Sequence, residues 1–271
     1  MGYTKRLTSA FEHAPVLPLY KNSKLVLFSD CHRGSGTSND NFLKNKQLYM
    51  AALSYYYKKG FTYIELGDGD ELWENRNFQQ IQEIHNDVFE LLCEYYQKNR
   101  LYMLYGNHDM IKKEQSNSYD FPFYEGIILK DCCSDKTLYL THGHQADALN
   151  SVFWKVSRFL VRYIWKPLEQ FGALDPTSAA KNYSVKEKTE KRLEHWATEN
   201  QLHLITGHTH RPVLDIKHPH YSNTGSCVHP TGITCIEIVQ NSLILVKWTI
   251  KTKEDATLYV ARSIIGSAMK L

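Results

Sequence analysis

The sequence contains no run approaching the roughly 20 consecutive apolar residues that a bilayer-spanning helix requires, so no membrane-spanning helix is expected. Its six cysteines, Cys31, Cys93, Cys132, Cys133, Cys227 and Cys235, form no CxxC pair and no short secreted framework. That excludes a zinc-ribbon or disulfide-scaffold reading and points to reduced thiols in a cytosolic chain. The opening residues, MGYTKRLTSAFEHAP, lack the apolar core of a signal peptide, and Arg6 stands where N-myristoylation wants Ser or Thr. Charge of one sign is also scarce. The net charge of +3 is too small for whole-chain electrostatics to argue nucleic-acid binding. Sequence repeats, low-complexity segments and disordered linkers are likewise missing. What remains is a globular chain, 42% hydrophobic and 23% charged over 271 residues, long enough for a sizeable core. It is read as one domain, 1–271, cytoplasmic or at most peripheral to a membrane, with no obligate protein partner and no nucleic-acid partner.

Lys24–Ser29 is a short apolar run that stops at Asp30, as a buried parallel strand would. Residues 40–59 carry Phe42, Leu43, Leu48, Ala52 and Tyr56 at near-helical spacing, with Gly60 at the expected C-terminal stop. Strands follow at 61–66 and 101–105, separated by a helical pattern over 78–98, so the first half reads βαβαβ. Further strands are expected at 126–130, 137–141, 202–206, 212–216, 220–223, 233–239 and 242–250. Two long helices, 146–171 and 183–200, joined by Gly172–Pro176, interrupt the second half. The shift from α/β to mostly β predicts two packed mixed sheets with helices outside, a four-layer α/β/β/α sandwich. A helical-pair lid is inserted at about 146–200.

Five strand ends deliver polar clusters in order: Asp30-x-His32, Gly67-Asp68, Gly106-Asn107-His108-Asp109, His142-Gly143 and Gly207-His208-Thr209-His210. Ligands in such sheets gather beyond the carboxyl ends of the strands. Mixed carboxylate and imidazole donors suit Mn, Fe and Zn, where an all-oxygen set would favour Mg or Ca. Asp30 and His32, two apart at a strand end, are expected to point to one side. The glycines before Asp68, Asn107 and His208 remove side-chain bulk where backbone must approach the site.

These blocks resemble the calcineurin-like metallophosphoesterase superfamily, whose signature runs DxH, GDxx[DE], GNH[DE], a lone His before Gly, and GHxH. They span residues 30–210, about two-thirds of the chain. The resemblance implies two divalent metal ions, with Mn favoured over Fe or Zn. Asp30, His32 and His210 would hold the first, Asn107, His142 and His208 the second, and Asp68 would bridge both. It implies that His108 faces the phosphate and protonates the leaving oxygen, and that Glu71 orients His108. Physical chemistry agrees. Two ions about 3.5–4 Å apart share a water whose pKa falls toward ~7, which makes hydroxide available at neutral pH. Imidazole, with an unperturbed pKa near ~6.5, can deliver the proton. His108 has a plain structural histidine as its alternative, and Glu71 a carboxylate at a helix start.

The runs Ser29–Gly34, Gly67–Trp73, Gly207–Pro212 and Asn223–Ser226, with the helical pair between His142 and His208, are similar to the UDP-2,3-diacylglucosamine diphosphatase group. In that group the pair forms a lid over lipid chains. Two departures are visible: His144 stands where the group usually has Asp, and His108 where its best-known members have Arg. The implied activity is hydrolysis of a nucleotide-diphosphate lipid or similar amphiphilic phosphoester. Alternatives are a phosphodiesterase or phosphatase for soluble nucleotides, and a non-catalytic interaction scaffold on the same fold.

Leu149, Val152, Phe153, Val156, Leu160, Tyr163 and Ile164 form an apolar stripe, with Lys155, Arg158, Arg162 and Lys166 recurring at spacings of three and four. Packing against the body is the ordinary role of such a stripe. With Trp154 and Trp165 it could instead receive an apolar group, touch a membrane, and let Lys155, Arg158 and Arg162 steer an anionic head. Arg33 is a candidate phosphate contact, with a solvent-facing position as its alternative. His144 is a candidate contact for a metal or a substrate phosphate, with an exposed loop position as its alternative. Residues 181–194, mixed in sign, read as a solvated helix surface. His13, His85, His195, His203, His218, His220 and His229 lie outside the signature and receive no role.

Overall fold

The computed structural model describes residues 2–37, 39–114, 121–134, 136–165 and 182–271. The strands, in chain order, are β1 (Val16–Leu19), β2 (Lys24–Phe28), β3 (Thr62–Glu65), β4 (Leu101–Leu104), β5 (Phe123–Tyr124), β6 (Gly126–Asp131), β7 (Thr137–Thr141), β8 (His203–Thr206), β9 (Val213–Leu214), β10 (Tyr221–Asn223), β11 (Ile233–Val239), β12 (Ser242–Thr252), β13 (Leu258–Ile264) and β14 (Met269–Lys270). They form an eight-stranded sheet, ordered β13-β12-β11-β2-β3-β4-β5 with β14 beside β12, and a six-stranded sheet, β1-β6-β7-β8-β10-β9. Both are mixed: β2, β3, β4 and β5 pair in parallel while β11 runs antiparallel to β2. In the other sheet β7, β8 and β10 pair in parallel between antiparallel neighbours.

Three apolar clusters separate four layers. Leu25, Leu27, Ile64, Leu66 and Leu104 of the large sheet pack on Ile127, Leu129, Leu138, Leu140 and Ile205 of the small one. Because side chains alternate along a strand, Val26, Phe28, Tyr63 and Met103 face the opposite way. They meet Leu48, Tyr49, Ala52, Leu53 and Tyr56 of the helix Lys46–Lys58, and Leu92 and Tyr95 of the helix Asn86–Gln97. On the outer face of the small sheet, Leu204 and Tyr221 carry Leu193, Trp196 and Ala197 of the helix Tyr183–Glu199. Central strands buried on both faces explain why their sequences are nearly all apolar.

The structure differs from the sequence reading in five places. The helical pattern over 78–98 is two helices, Phe78–Ile84 and Asn86–Gln97, broken at His85, whose buried ring binds Asp40 at 2.8 Å. Strand β1 precedes the first strand expected from the sequence. Its Pro18 is tolerated because β1 is the sheet's edge. Strand β13, not among the expected strands, has a mostly apolar sequence, LYVARSI, that the fold leaves largely exposed. The segment beginning at 146 is not one helix: short turns at Ala148–Ser151 and Trp154–Leu160 run into a π-helical turn at Val161–Trp165. Residues 166–171, with Lys166, and the Gly172–Pro176 connection lie outside the described residues. Nor does the apolar stripe pack on the body. Leu149, Val152, Phe153, Val156, Tyr163 and Ile164 are exposed, from 39% at Ile164 to 56% at Val156, and only Leu160 of the stripe is half-buried; neighbouring Phe159 is exposed as well. Among the described residues no helix is long and apolar enough to cross a membrane.

Candidate metal centre

The carboxyl ends of β2, β3, β4, β7 and β8 converge where the two sheets meet, and each delivers its polar cluster within one to five residues of the strand's end. Local backbone there is unusual. Among the described residues, five of the ten non-glycine residues with positive φ are Asp30, His32, Asp68, His208 and His210. Left-handed backbone is costly for such residues and collects at functional sites. Asp30 and His32 therefore share a side through left-handed backbone at each of them beyond Phe28, not through strand alternation as their spacing suggested. Two glycines permit the approach. A Cβ on Gly106 would collide with the Asp68 carboxylate, and one on Gly207 with Ser29 and Asp30.

Asp30, His32 and His210 form one group of converging donor atoms; Asp68, His142 and His208 form another. In the first, His32 Nε2 lies 3.3 Å from His210 Nε2, and Asp30 Oδ1 lies 3.0 Å from His210 Nε2. In the second, His142 Nε2 is 3.2 Å from both Asp68 Oδ2 and Asn107 Oδ1. Asp68 Oδ2 also stands 3.8 Å from His32 Nε2, so one oxygen faces both groups. Buried His208 Nε2 finds no hydrogen-bond partner among the described residues, and Asp30 Oδ1 faces the His210 ring nitrogen without forming a regular hydrogen bond, which in a dry site is costly unless something else binds them. Two ring nitrogens facing each other at 3.3 Å, with unsatisfied donors around them, suit a divalent cation between them.

The ring tautomers are set from behind. His32 Nδ1 meets Glu71 Oε2 at 2.7 Å, and His142 Nδ1 donates to the Leu66 carbonyl at 2.7 Å; each leaves Nε2 to act as a ligand, the usual arrangement behind a metal-binding histidine. Asp30 Oδ2 accepts from the Ser29 hydroxyl and the His208 backbone amide, leaving Oδ1 facing inward. Burial alone would raise the pKa of Asp30, but His210 and His142 outweigh it and hold the carboxyl at about 2. Burial likewise opposes ionisation of Asp68, and His142 and His108 more than reverse it. Burial pushes His208 down to about 3, so it stays neutral, the ligating form.

His108 stands at the rim. Its Nδ1 binds Glu71 Oε1 at 2.7 Å, its backbone amide donates to Asp68, and its ring stacks on Trp73 at 4.3 Å between centroids. Burial works against its charged form, yet Glu71 and Asp68 push its pKa up to about 10. Glu71 thus orients two histidines, and the reading of it as a helix-start carboxylate does not hold, since residues 71–75 form no helix.

A search of the curated proteins finds no match. The family model of calcineurin-like phosphoesterases matches residues 23–212, more than half of the chain. The chain belongs to the calcineurin-like phosphoesterase family. Among solved structures it is similar to a cold-active protein tyrosine phosphatase, at 15% identity over 93% of this chain and 82% of that one, TM-score 0.44. It is also similar to Vps29 of Chaetomium thermophilum, at 11% identity over 92% and 98%, TM-score 0.45. At such scores the likeness decides neither fold detail nor activity. Calcineurin-like phosphoesterases bind divalent metals, and the His/Asp clusters of this member fit such a site.

Some residues expected in this phosphoesterase site lie elsewhere. Arg33 neither contacts the site nor meets solvent: it is fully buried, forked onto Glu65 at 2.7 and 2.9 Å and onto Asp70 at 2.7 Å. Asp70 in turn holds Lys112, so a buried charge network underlies the loop after Asp68. Lys155 pairs with Glu114 at the surface. Arg162 donates to the carbonyls of Trp73, Leu72 and Asn75. His144 is buried, 5.5 Å ring to ring from His142, and burial with His142 holds it well below its usual pKa; it is not an exposed loop residue. The helix at 183–199 is not simply a solvated surface. Its Glu190 is buried, taking Thr209 Oγ1 at 2.8 Å and Arg211, and so anchors the loop of His208 and His210. Asn223 holds the same loop through the Gly207 carbonyl at 2.6 Å. Glu190 gave no local signal, because its partners lie some 20 residues away in the sequence.

Proposed function

We propose that this phosphoesterase is a dinuclear metal-dependent hydrolase of phosphoric ester or diphosphate bonds. The observation that carries the reading is Asp68 Oδ2, placed between His32 and His142, with Asp30 Oδ1 turned toward the His210 ring nitrogen and His208 Nε2 without a hydrogen bond among the described residues. Asp30, His32 and His210 would hold one ion, Asn107, His142 and His208 the other, with Asp68 shared. When bound, such a pair supplies an acidified water and positive charge for the phosphoryl oxygens; Mn suits the mixed donors, as do Fe and Zn. Glu71 fixes the Nδ1 proton of His108, leaving Nε2 to carry the proton that the departing oxygen takes up. Trp73 keeps that ring from rotating away.

The favoured substrate is a nucleotide-diphosphate lipid or a similar amphiphile. Support comes from the exposed apolar face at 149–164 beside the metal centre's outer loop, a surface that a monomer seldom leaves open without use. Its most exposed aromatic side chains are Phe159 and Phe153, whereas Trp154 and Trp165 are partly covered. The same face would give peripheral membrane contact, and equal liposome pelleting of wild type and a Phe153→Ser/Phe159→Ser variant would rule that out. Soluble nucleotides remain the second enzymatic reading. The complete donor set speaks against a non-catalytic scaffold. Purified protein with Mn is to be assayed on bis-p-nitrophenyl phosphate, p-nitrophenyl phosphate and a UDP-linked lipid. Hydrolysis that is abolished by Asp68→Ala is expected; inactivity on all three overturns the proposal.

A further inference from the structure

Behind the Trp73 wall, between the loop 72–76 and the turn at 154–165, lies a cavity of about 260 Å³ lined by Leu72, Asn75, Arg76, Phe78, Ile111, Arg158 and Arg162. Three guanidinium groups meet there, and no carboxylate lines the cavity among the described residues. Arg162 spends its Nε and one terminal nitrogen on the carbonyls of residues 72, 73 and 75. Arg76 rests on Tyr163, donating to its hydroxyl at 2.7 Å. Arg158 lies over the Trp154 ring at 5.1 Å. None of the three is paired with an acid among the described residues. Burial and the charges of Arg158 and Arg76 together lower the pKa of Arg162, the mark of like charges gathered without a counter-ion.

We propose that this cavity is an anion site taking one phosphate-sized group through Arg76, Arg158 and Arg162. Arginine forks match phosphate oxygens in pairs, and the polar Asn75 side supplies a further wall. The volume suits a single phosphoryl group; ligand pockets for whole drug-sized molecules run from about 300 Å³ upward. Such a group reaches the site from two sources, as inorganic phosphate or as a second phosphoryl group on a substrate whose scissile bond lies at the metal centre. The second source rests on the proposed hydrolase activity; the site itself does not.

The test separates them. Metal-free protein, prepared with a chelator so that phosphate has no ion to bind, is titrated with inorganic phosphate while tryptophan fluorescence and calorimetry are followed. Wild type is expected to bind, and Arg76→Gln and Arg158→Gln each to weaken binding roughly tenfold, the cost of one charge-assisted hydrogen bond. Both side chains reach the surface, and equal Tm values without phosphate would verify folding. No binding by wild type, or wild-type binding by the double variant, overturns the site. With Mn restored, the ratio of KM for a nucleoside diphosphate ester to KM for bis-p-nitrophenyl phosphate assigns the source. A rise of about tenfold in the double variant identifies the substrate's second phosphoryl group, and an unchanged ratio with altered phosphate binding identifies free phosphate.

Discussion

Glu71→Gln keeps the shape of the side chain and changes what it can accept. In the native loop Oε2 takes His32 Nδ1 and Oε1 takes His108 Nδ1, each at 2.7 Å. A carboxamide offers one acceptor and one donor, so one ring must surrender its Nδ1 proton or its contact. If His32 yields, its proton moves to Nε2, the atom that faces His210 and Asp68, and the first metal loses a ligand. If His108 yields, its charged form loses its main support. A hydrogen bond to a charged group is worth roughly 1.5–3 kcal/mol, so either outcome costs about 10- to 100-fold. Loss of a supporting carboxylate behind a metal ligand has a similar effect on metal affinity, about 10- to 100-fold. The sign of the pH effect follows from the same geometry. Glu71 and Asp68 raise the His108 pKa to about 10 against burial, and an acid catalyst works only while protonated. Removing the Glu71 charge lowers that pKa, so the alkaline limb of the kcat/KM profile moves to lower pH by roughly 1–2 units. The assay is metal content by plasma spectrometry after dialysis, with pH–rate profiles on bis-p-nitrophenyl phosphate in Mn. Wild-type metal retention together with an unmoved alkaline limb would refute the dual role of Glu71.

Asp68→Ala is expected to deplete both metals and His210→Ala only one, read as metal per chain after dialysis; equal losses would deny that Asp68 is shared. Gly106→Ala drives a methyl group against the Asp68 carboxylate. It should cost about 1–3 kcal/mol of stability, seen as a lower urea midpoint, together with loss of metal at unchanged circular dichroism. Arg162→Ala removes three bonds to the 72–75 carbonyls, so hydrogen exchange across residues 72–76 should quicken by about tenfold, and unchanged exchange would show that the turn at 154–165 does not hold the loop. Burial pushes His203 down to about 4 while its Nε2 meets Ser222 at 2.9 Å. Between the unfolded value near 6.5 and 4 the unfolded chain binds a proton the native one does not, so stability falls as pH drops through that window, by up to about 3 kcal/mol. His203→Gln should shrink the difference in unfolding free energy between pH 7 and pH 4.5, and an undiminished difference would assign it to other groups.

Asp30, His32, Asp68, Asn107, His108, His142, His208 and His210 were legible in the sequence because each follows an apolar run long enough to be a strand, and parallel strands present their carboxyl ends on one side. The four layers were legible for a related reason: two-sided burial writes itself as unbroken apolar strands, and helices as periodic ones. The sequence also placed Glu71 beside His108, though not its second bond to His32. What lay beyond local reach were contacts set by distance in three dimensions. Arg33 looks like a phosphate ligand next to His32 until Glu65 and Asp70, more than 30 residues on, enclose it. Glu190 looks like one more charge on a mixed helix until the loop of Thr209 and Arg211 folds onto it. The stripe at 149–164 reads as core-facing by periodicity, and the fold leaves it in solvent. Residue order and hydrophobic pattern determined the sheets and brought the donors to one end of them. The left-handed backbone at the donors, the partners of each charge and the facing of the inserted turns were decided only by packing between segments far apart in the chain.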